Sequence, residues 1–280
     1  MQQPNIVLVG HVCIDTNTTE NATYTAWGSS VLYVAQYYRA QYGIEPAIIT
    51  EYGPDLLPYV PHAHFLPAVP NRPETLRYEN DTRSVPRIWR CHNTEFAGPP
   101  ELTPAAIEAI KAADIIVVAT LLPNYSAAYI AQLMQHARPD ALKLLCPQGY
   151  FRKIAADGLV QQREFTEAST VLPLFDVVVY SEEDHARALA LARTWSQKMS
   201  TQFIVTQGEK GASIVARNVV RAIPTTPLAP EQIVDSVGCG DTFAATVAYQ
   251  YFQNHDLVEA VQAAHRAAAA KLLAAPAARS

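Results

Sequence analysis

Six short runs of apolar, largely β-branched residues recur along this chain: IVLVGHVCI (6–14), PAIIT (46–50), DIIVVAT (114–120), ALKLLC (141–146), DVVVY (176–180) and QFIVT (202–206). Each is continuous rather than alternating. A strand with that pattern is buried on both faces, so the runs predict a mostly parallel sheet covered by helices on both sides. Between them, residues 31–43, 123–139 and 182–198 carry apolar positions at three-to-four spacing, and the last segment is expected to start at Ser181 as N-cap with Asp184 three residues on. This β/α alternation predicts an α/β fold, a three-layer α/β/α domain around a parallel sheet.

Two segments break the alternation. Residues 15–27 and 71–97 are rich in Thr, Asn, Arg and aromatics, with strand-like alternation in TLRYEN and RIWRCHN. They are expected to form a small β flap on a single domain spanning 1–280, rather than a second domain. The Ala-rich end, 263–280, reads as a helix that frays.

With 280 residues, 49% of them hydrophobic, the chain can bury a large core. Its formal net charge of −5 argues against a nucleic-acid groove or an anionic membrane as partner, since both require a basic face. The N-terminus lacks the basic start and apolar core of a signal peptide, which predicts a cytoplasmic protein with a small-molecule partner. Cys13, Cys91, Cys146 and Cys239 show no CxxC spacing, so free thiols are expected instead of a zinc site or disulfides.

Chemistry concentrates in DSVGCGDTF (235–243). Only 11 glycines occur in the chain, yet Gly238 and Gly240 flank the single residue Cys239 just before an apolar helical run. Such a turn exposes successive N–H groups at a helix start, a recipe for holding phosphate or a developing oxyanion. The alternative is an ordinary loop-to-helix turn with Asp241 as N-cap. Beside an anion site, Asp241 could take a proton from an alcohol, a pairing that suits phosphoryl transfer better than triad hydrolysis.

DSVGCGDTF also resembles the C-terminal signature of the ribokinase/PfkB family of carbohydrate and nucleoside kinases, usually Asp-Thr-x-Gly-Ala-Gly-Asp. GHVCID resembles the family's first strand, CPQGYFR (146–152) the Asp-x-Gln-Gly-x-x-Arg segment of an inositol-kinase-like branch, VVVYSEED its strand and acidic turn, and VTQGEKGA (205–212) its Thr-x-Gly-x-x-Gly turn. The likeness implies a ribokinase-like fold with residues 15–27 and 71–97 as a lid, across which a homodimer could form. It implies ATP and Mg2+, leaves a monovalent cation open, and assigns Asp241 as base, with Gly238, Cys239 and Gly240 around the transferred phosphoryl group. Acceptor contacts fall on Asp15, Asn17, Gly28 and Arg152, nucleotide contacts on Ser181, Thr206, Gly208 and Gly211, and a metal contact on Asp184. The acceptor would be a small sugar or polyol, with a nucleoside kinase or a non-catalytic sensor as alternatives.

Three departures bear on this. Ser181 and Asp184 stand where the family has Asn-x-x-Glu, shortening the acid by a methylene. Only Gly28 remains of a usual Gly-Gly pair, so either Gly28 allows close approach of a sugar or Ser29 and Ser30 are helix caps. Cys239 replaces Ala, and at a helix N-terminus it is either a reactive thiolate or a packed, inert thiol. Trp27, Tyr78 and Trp89 are expected to pack between flap strands, and His265 to be a solvated helix residue.

Overall fold

The computed structural model describes residues 3–18, 22–81, 83 and 88–274. Residues 19–21, 82 and 84–87 of the expected flap, and 275–280 of the fraying end, lie outside the described residues.

The described strands are β1 (Ile6–Gly10), β2 (Cys13–Thr18), β3 (Thr23–Gly28), β4 (Ala47–Ile49), β5 (His64–Leu66), β6 (Leu76–Asp81), β7 (Ile88–His92), β8 (Ile115–Ala119), β9 (Leu142–Cys146), β10 (Arg152–Ile154), β11 (Val160–Gln162), β12 (Val177–Ser181), β13 (Gln202–Thr206), β14 (Ala212–Ala216) and β15 (Val219–Ile223). The helices are α1 (Ser30–Tyr42), α2 (Pro104–Ala112), α3 (Ala127–Gln135), α4 (Ala168–Val171), α5 (Ala188–Ser196), α6 (Cys239–Asn254) and α7 (Leu257–Leu273).

Nine strands form the main sheet in the order β15-β14-β13-β12-β9-β8-β1-β4-β5, parallel from β13 to β5, with β14 and β15 antiparallel at one edge. Alternate residues of the same strand enter opposite cores. Ile6, Leu8, Ile115 and Val117 pack with α1, α6 and α7, whereas Val7, Val9, Ile116 and Val118 pack with α2, α3, α4 and α5. Burial on both faces is what the continuous apolar runs require. The chain moves from β1 to β4, then returns to place β8 on the other side of β1. In open α/β sheets such a reversal marks the place, at the C-terminal ends of the strands, where ligands bind.

The run 6–14 is two strands rather than one. β1 ends at Gly10, and β2 belongs to a second sheet of order β3-β2-β6-β7. Register puts Cys13, Asp15, Asn17, Gly28, Tyr78, Asn80, Trp89 and Cys91 on one face of this small sheet. Thr16, Thr18, Glu79, Asp81, Ile88 and Arg90 take the other face. The first face packs through Cys13, Leu76, Tyr78 and Cys91 onto Leu121 and Leu122.

The predicted helices at 31–43 and 123–139 are present as α1 and α3, capped by the Ser29 and Ser126 side chains. The third starts later than expected. Ser181 ends β12 instead of capping a helix, and the Asp184 carboxylate accepts the Ser181 N–H at 2.9 Å. Asp184 N–H closes on Ser181 O at 3.1 Å and Arg187 N–H on His185 Nδ1 at 3.0 Å, so residues 182–187 are spent in turns and α5 begins at Ala188. Among the described residues no helix is long and apolar enough to cross a membrane.

Candidate active site

Gly238 caps α6 in the left-handed conformation, φ 78°. A Cβ there would lie 2.5 Å from the Tyr33 ring, so both backbone and neighbour require glycine. Tyr33 in turn packs on Trp27, centroids 4.7 Å apart, which ties the turn to β3. At Gly240 nothing lies within 4 Å of a built Cβ, and its backbone is exposed.

The expected cradle of N–H groups over 238–241 is narrower than the motif implies. Cys239 N–H donates to Ser236 O at 3.3 Å, and Thr242 N–H to Gly238 O at 2.9 Å. The Gly240 and Asp241 amides have no acceptor among the described residues, which leaves them open to an anion at the positive end of the 16-residue helix α6.

Asp241 lies in the first turn of α6. Burial pushes its carboxyl up to about 6; a hydrogen bond with Ser30 and the charge of Arg152 oppose that rise, while the Asp184 carboxylate adds to it. An acid poised near neutrality beside free helix amides is equipped to accept a proton from an alcohol. Ser30 thus stands beside Asp241, while Ser29 is the helix cap.

Arg152, at the end of the QGYFR segment, reaches over the inner face of the small sheet. Its guanidinium carbon is 5.4 Å from the Tyr78 centroid and 5.7 Å from that of Trp89, and it donates to Tyr78 Oη at 3.3 Å. No carboxylate of the described residues pairs with it, so it is held by aromatic faces rather than in a surface ion pair. Tyr78 and Trp89, expected only to pack, position this cation.

Asp15 and Asn17 point to the same face of β2 and are buried, 7% and 4% exposed. Cys13 Sγ donates to Asp15 Oδ1 at 3.1 Å, and Asn80 Nδ2 to Asn17 Oδ1 at 3.0 Å. What closes on Gly28 is the Asp15 carboxylate: a Cβ at 28 would lie 2.2 Å from Asp15 Cγ. Gly28 therefore makes room for the acid and not directly for a sugar.

Asp184 is engaged on both oxygens, by the Ser181 N–H and by Gln148 Nε2 at 3.2 Å. Burial pushes its carboxyl up. Cys146 stands where the resembled segment has an acid, and its thiol is pushed up by burial, with Asp241 and Asp184 adding to the rise. Among the described residues no three His, Cys, Asp or Glu side chains converge as a metal cage. Asp184, with both oxygens already engaged, fits Mg2+ held mainly by donor phosphates and water, and would contact the ion through water.

Thr206 ends β13 beside Ser181, its register partner on β12, and Gly208 and Gly211 form the turn to β14. These four lie at the same ends of the central strands as Asp184, since Glu182 N–H bonds Thr206 O at 3.1 Å. His265 is half-buried rather than fully solvated: a ring nitrogen lies 3.2 Å from Ile223 O and the ring packs on Phe243.

The surroundings of Cys239 favour the packed thiol. Its Sγ sits 3.7 Å from Ala268 O, and burial pushes the thiol up to about 11, outweighing the nearby Lys271 ammonium. Peptide mapping after brief alkylation at pH 7.5 should show less than about a tenth of Cys239 modified, because only thiolate reacts. Rapid labelling there would contradict the packed thiol.

A parallel sheet with a reversal in its strand order, a glycine turn opening a helix, and an acid beside that turn define a kinase of the ribokinase fold. The sequence matches the pfkB family carbohydrate kinases over residues 87–279, and the chain belongs to that family, whose members are phosphotransferases with alcohol acceptors. A cytidine kinase of Thermococcus kodakarensis is 33% identical over 86 residues, a stretch covering 31% of this chain and only 30% of that enzyme. A pyrophosphate-dependent kinase of the ribokinase family, complexed with a pyrophosphate analog and myo-inositol, superposes with a TM-score of 0.78 at 16% identity over 98% of this chain and 97% of its own. Arabidopsis thaliana ribokinase with ribose and ATP gives 0.70 at 16% over 99% and 95%. These two establish the fold.

Proposed function

We propose that the chain transfers the γ-phosphoryl group of ATP to a hydroxyl of a small sugar or polyol, inositol-like or a ketose. The observation that carries this reading is Asp241: a carboxyl near pH 6 at the head of α6, next to the unpaired amides of Gly240 and Asp241. Asp241 removes the acceptor proton as the hydroxyl oxygen attacks phosphorus. The two amides and Arg152 hold the developing charge on the equatorial oxygens. Magnesium, when bound, neutralises charge on the donor phosphates. Asp15 and Asn17 orient the acceptor from the inner face of the small sheet, which acts as the lid that keeps water from the phosphoryl group.

Hydrogen-bonding groups at Asp15, Asn17 and Arg152 suit a polyhydroxylated acceptor, in keeping with the myo-inositol bound by one structural neighbour. A nucleoside acceptor is the second reading, supported by the local identity to cytidine kinase. A screen of inositols, ketoses, aldoses and nucleosides, with ATP, GTP, ADP and pyrophosphate as donors, tests both. Turnover confined to cytidine and its relatives would replace the first reading by the second; no turnover with any pair would leave the non-catalytic sensor.

Asp15 and Gly28 should behave as one unit. Asp15→Ala is expected to raise the acceptor KM about ten- to hundredfold, the value of about 1.5–3 kcal/mol for a hydrogen bond to a charged group, with the donor KM unchanged. Gly28→Ala should do the same, because its Cβ would overlap the carboxylate. Steady-state kinetics in both substrates checks this, and an unchanged acceptor KM in Asp15→Ala would remove Asp15 from the site.

A further inference from the structure

Lys271 stands in the last turn of α7 and places its ammonium 3.2 Å from Asp235 Oδ2. The pair is sheltered, its side chains keeping 23% and 13% of their exposure. Asp235 leads into the glycine turn. Its other oxygen accepts the Val237 N–H at 3.0 Å, while the Val234 and Asp235 N–H groups reach Leu272 O at 2.9 and 3.4 Å. From the far side of the turn, Cys239 Sγ leans on Ala268 O. The turn is thus fastened along the end of α7, and the fastening includes one ion pair.

A helix C-terminus gathers carbonyl oxygens and about half a negative charge. Adding the Asp235 carboxylate makes this a place that calls for a cation. A monovalent ion, left open by the family resemblance, does not fit here, because the carboxylate already has an ammonium against it.

We propose that Lys271 is a built-in cation: its ammonium takes the place of a bound monovalent ion between Asp235 and the end of α7, and holds residues 236–241 in their anion-receiving shape. Phosphoryl transfer by this chain then needs no added potassium or ammonium. The kinetic part rests on the phosphoryl transfer proposed above; the structural part does not.

The test compares the full chain and Lys271→Met in buffers whose only monovalent cation is tetramethylammonium, then with potassium or ammonium added. Met keeps the stem and leaves the ammonium's place to an ion. Wild-type turnover should change by less than about twofold, while Lys271→Met should lose at least about tenfold and regain several-fold with either ion, as expected for a site filled by mass action. Melting temperature, which needs no substrate, is the second readout: it should rise with potassium in Lys271→Met, stay level in wild type, and stay level in Asp235→Asn/Lys271→Met. Wild type activated more than about fivefold by potassium would overturn the proposal, because an ion would then act where Lys271 does not reach. So would a Lys271→Met protein whose melting ignores potassium. If no acceptor is ever phosphorylated, the proposed function fails and the melting comparison alone decides the role of Lys271.

Discussion

Asp241→Asn is expected to lower turnover at least about hundredfold while leaving the donor KM within about twofold, the signature of a lost general base in an intact binding site. Asn keeps the size of the side chain and its hydrogen bond to Ser30 but cannot take a proton. Because burial, with Asp184 adding, pushes the carboxyl up to about 6, wild-type kcat/KM should rise with pH through about 6 and flatten above it. That limb should vanish in the variant. Stability should move the other way. An acid whose folded-state value is raised above its unfolded value weighs against the fold at pH above both, and the penalty disappears as pH falls below the unfolded value. Asp241→Asn should therefore melt higher than wild type at pH 7.5 and no higher at pH 3.5. A variant that keeps most of its turnover would remove Asp241 as the base, and one that melts lower at pH 7.5 would contradict the burial argument.

Gly238→Ala should be the second most damaging change. At φ 78° a non-glycine residue carries roughly 1–2 kcal/mol of backbone strain, and the new Cβ would meet the Tyr33 ring at 2.5 Å, close to its attachment point. The ring cannot yield without disturbing Trp27 and α1. Turnover is expected to drop at least about tenfold, since a displacement of about an ångström at the phosphoryl site is costly. Gly238→Ala combined with Tyr33→Ala should recover part of that loss, leaving only the backbone strain. If the double variant is no better than the single one, Tyr33 is not what makes Gly238 necessary.

How far such a site can be read from sequence depends on which interactions are local. The parallel sheet was legible because strands buried on both faces leave continuous apolar runs, and IIVVA in β8 is buried throughout. The glycine turn and Asp241 were legible for a similar reason: bare backbone and an acid side by side form a short pattern. Ser30, Tyr33 and Lys271 left no such trace. Each matters through a partner far along the chain, Asp241, Gly238 and Asp235, and only the layering of α1, α6 and α7 on one face of the sheet brings them together. The start of α5 was misplaced because a Ser followed three residues later by an acid reads as a helix cap, whereas here the acid turns back to hold the end of a strand. Cys239 stayed open between thiolate and packed thiol because a helix N-terminus is visible in sequence and burial is not. Ile6–Ile14 read as one strand because apolar character continues across the passage from the main sheet into the small one.

The most direct measurement follows the phosphoryl group itself. An acceptor identified by the donor and acceptor screen, carrying an oxygen-18 hydroxyl, is incubated with the donor and the chain, and the product is weighed by mass spectrometry while donor loss is recorded with and without acceptor. Attack by the deprotonated acceptor oxygen on phosphorus predicts a phosphate ester that retains the label, donor loss that depends on acceptor, and neither in Asp241→Asn. Donor loss at the same rate without acceptor, or an ester formed equally by Asp241→Asn, would contradict it.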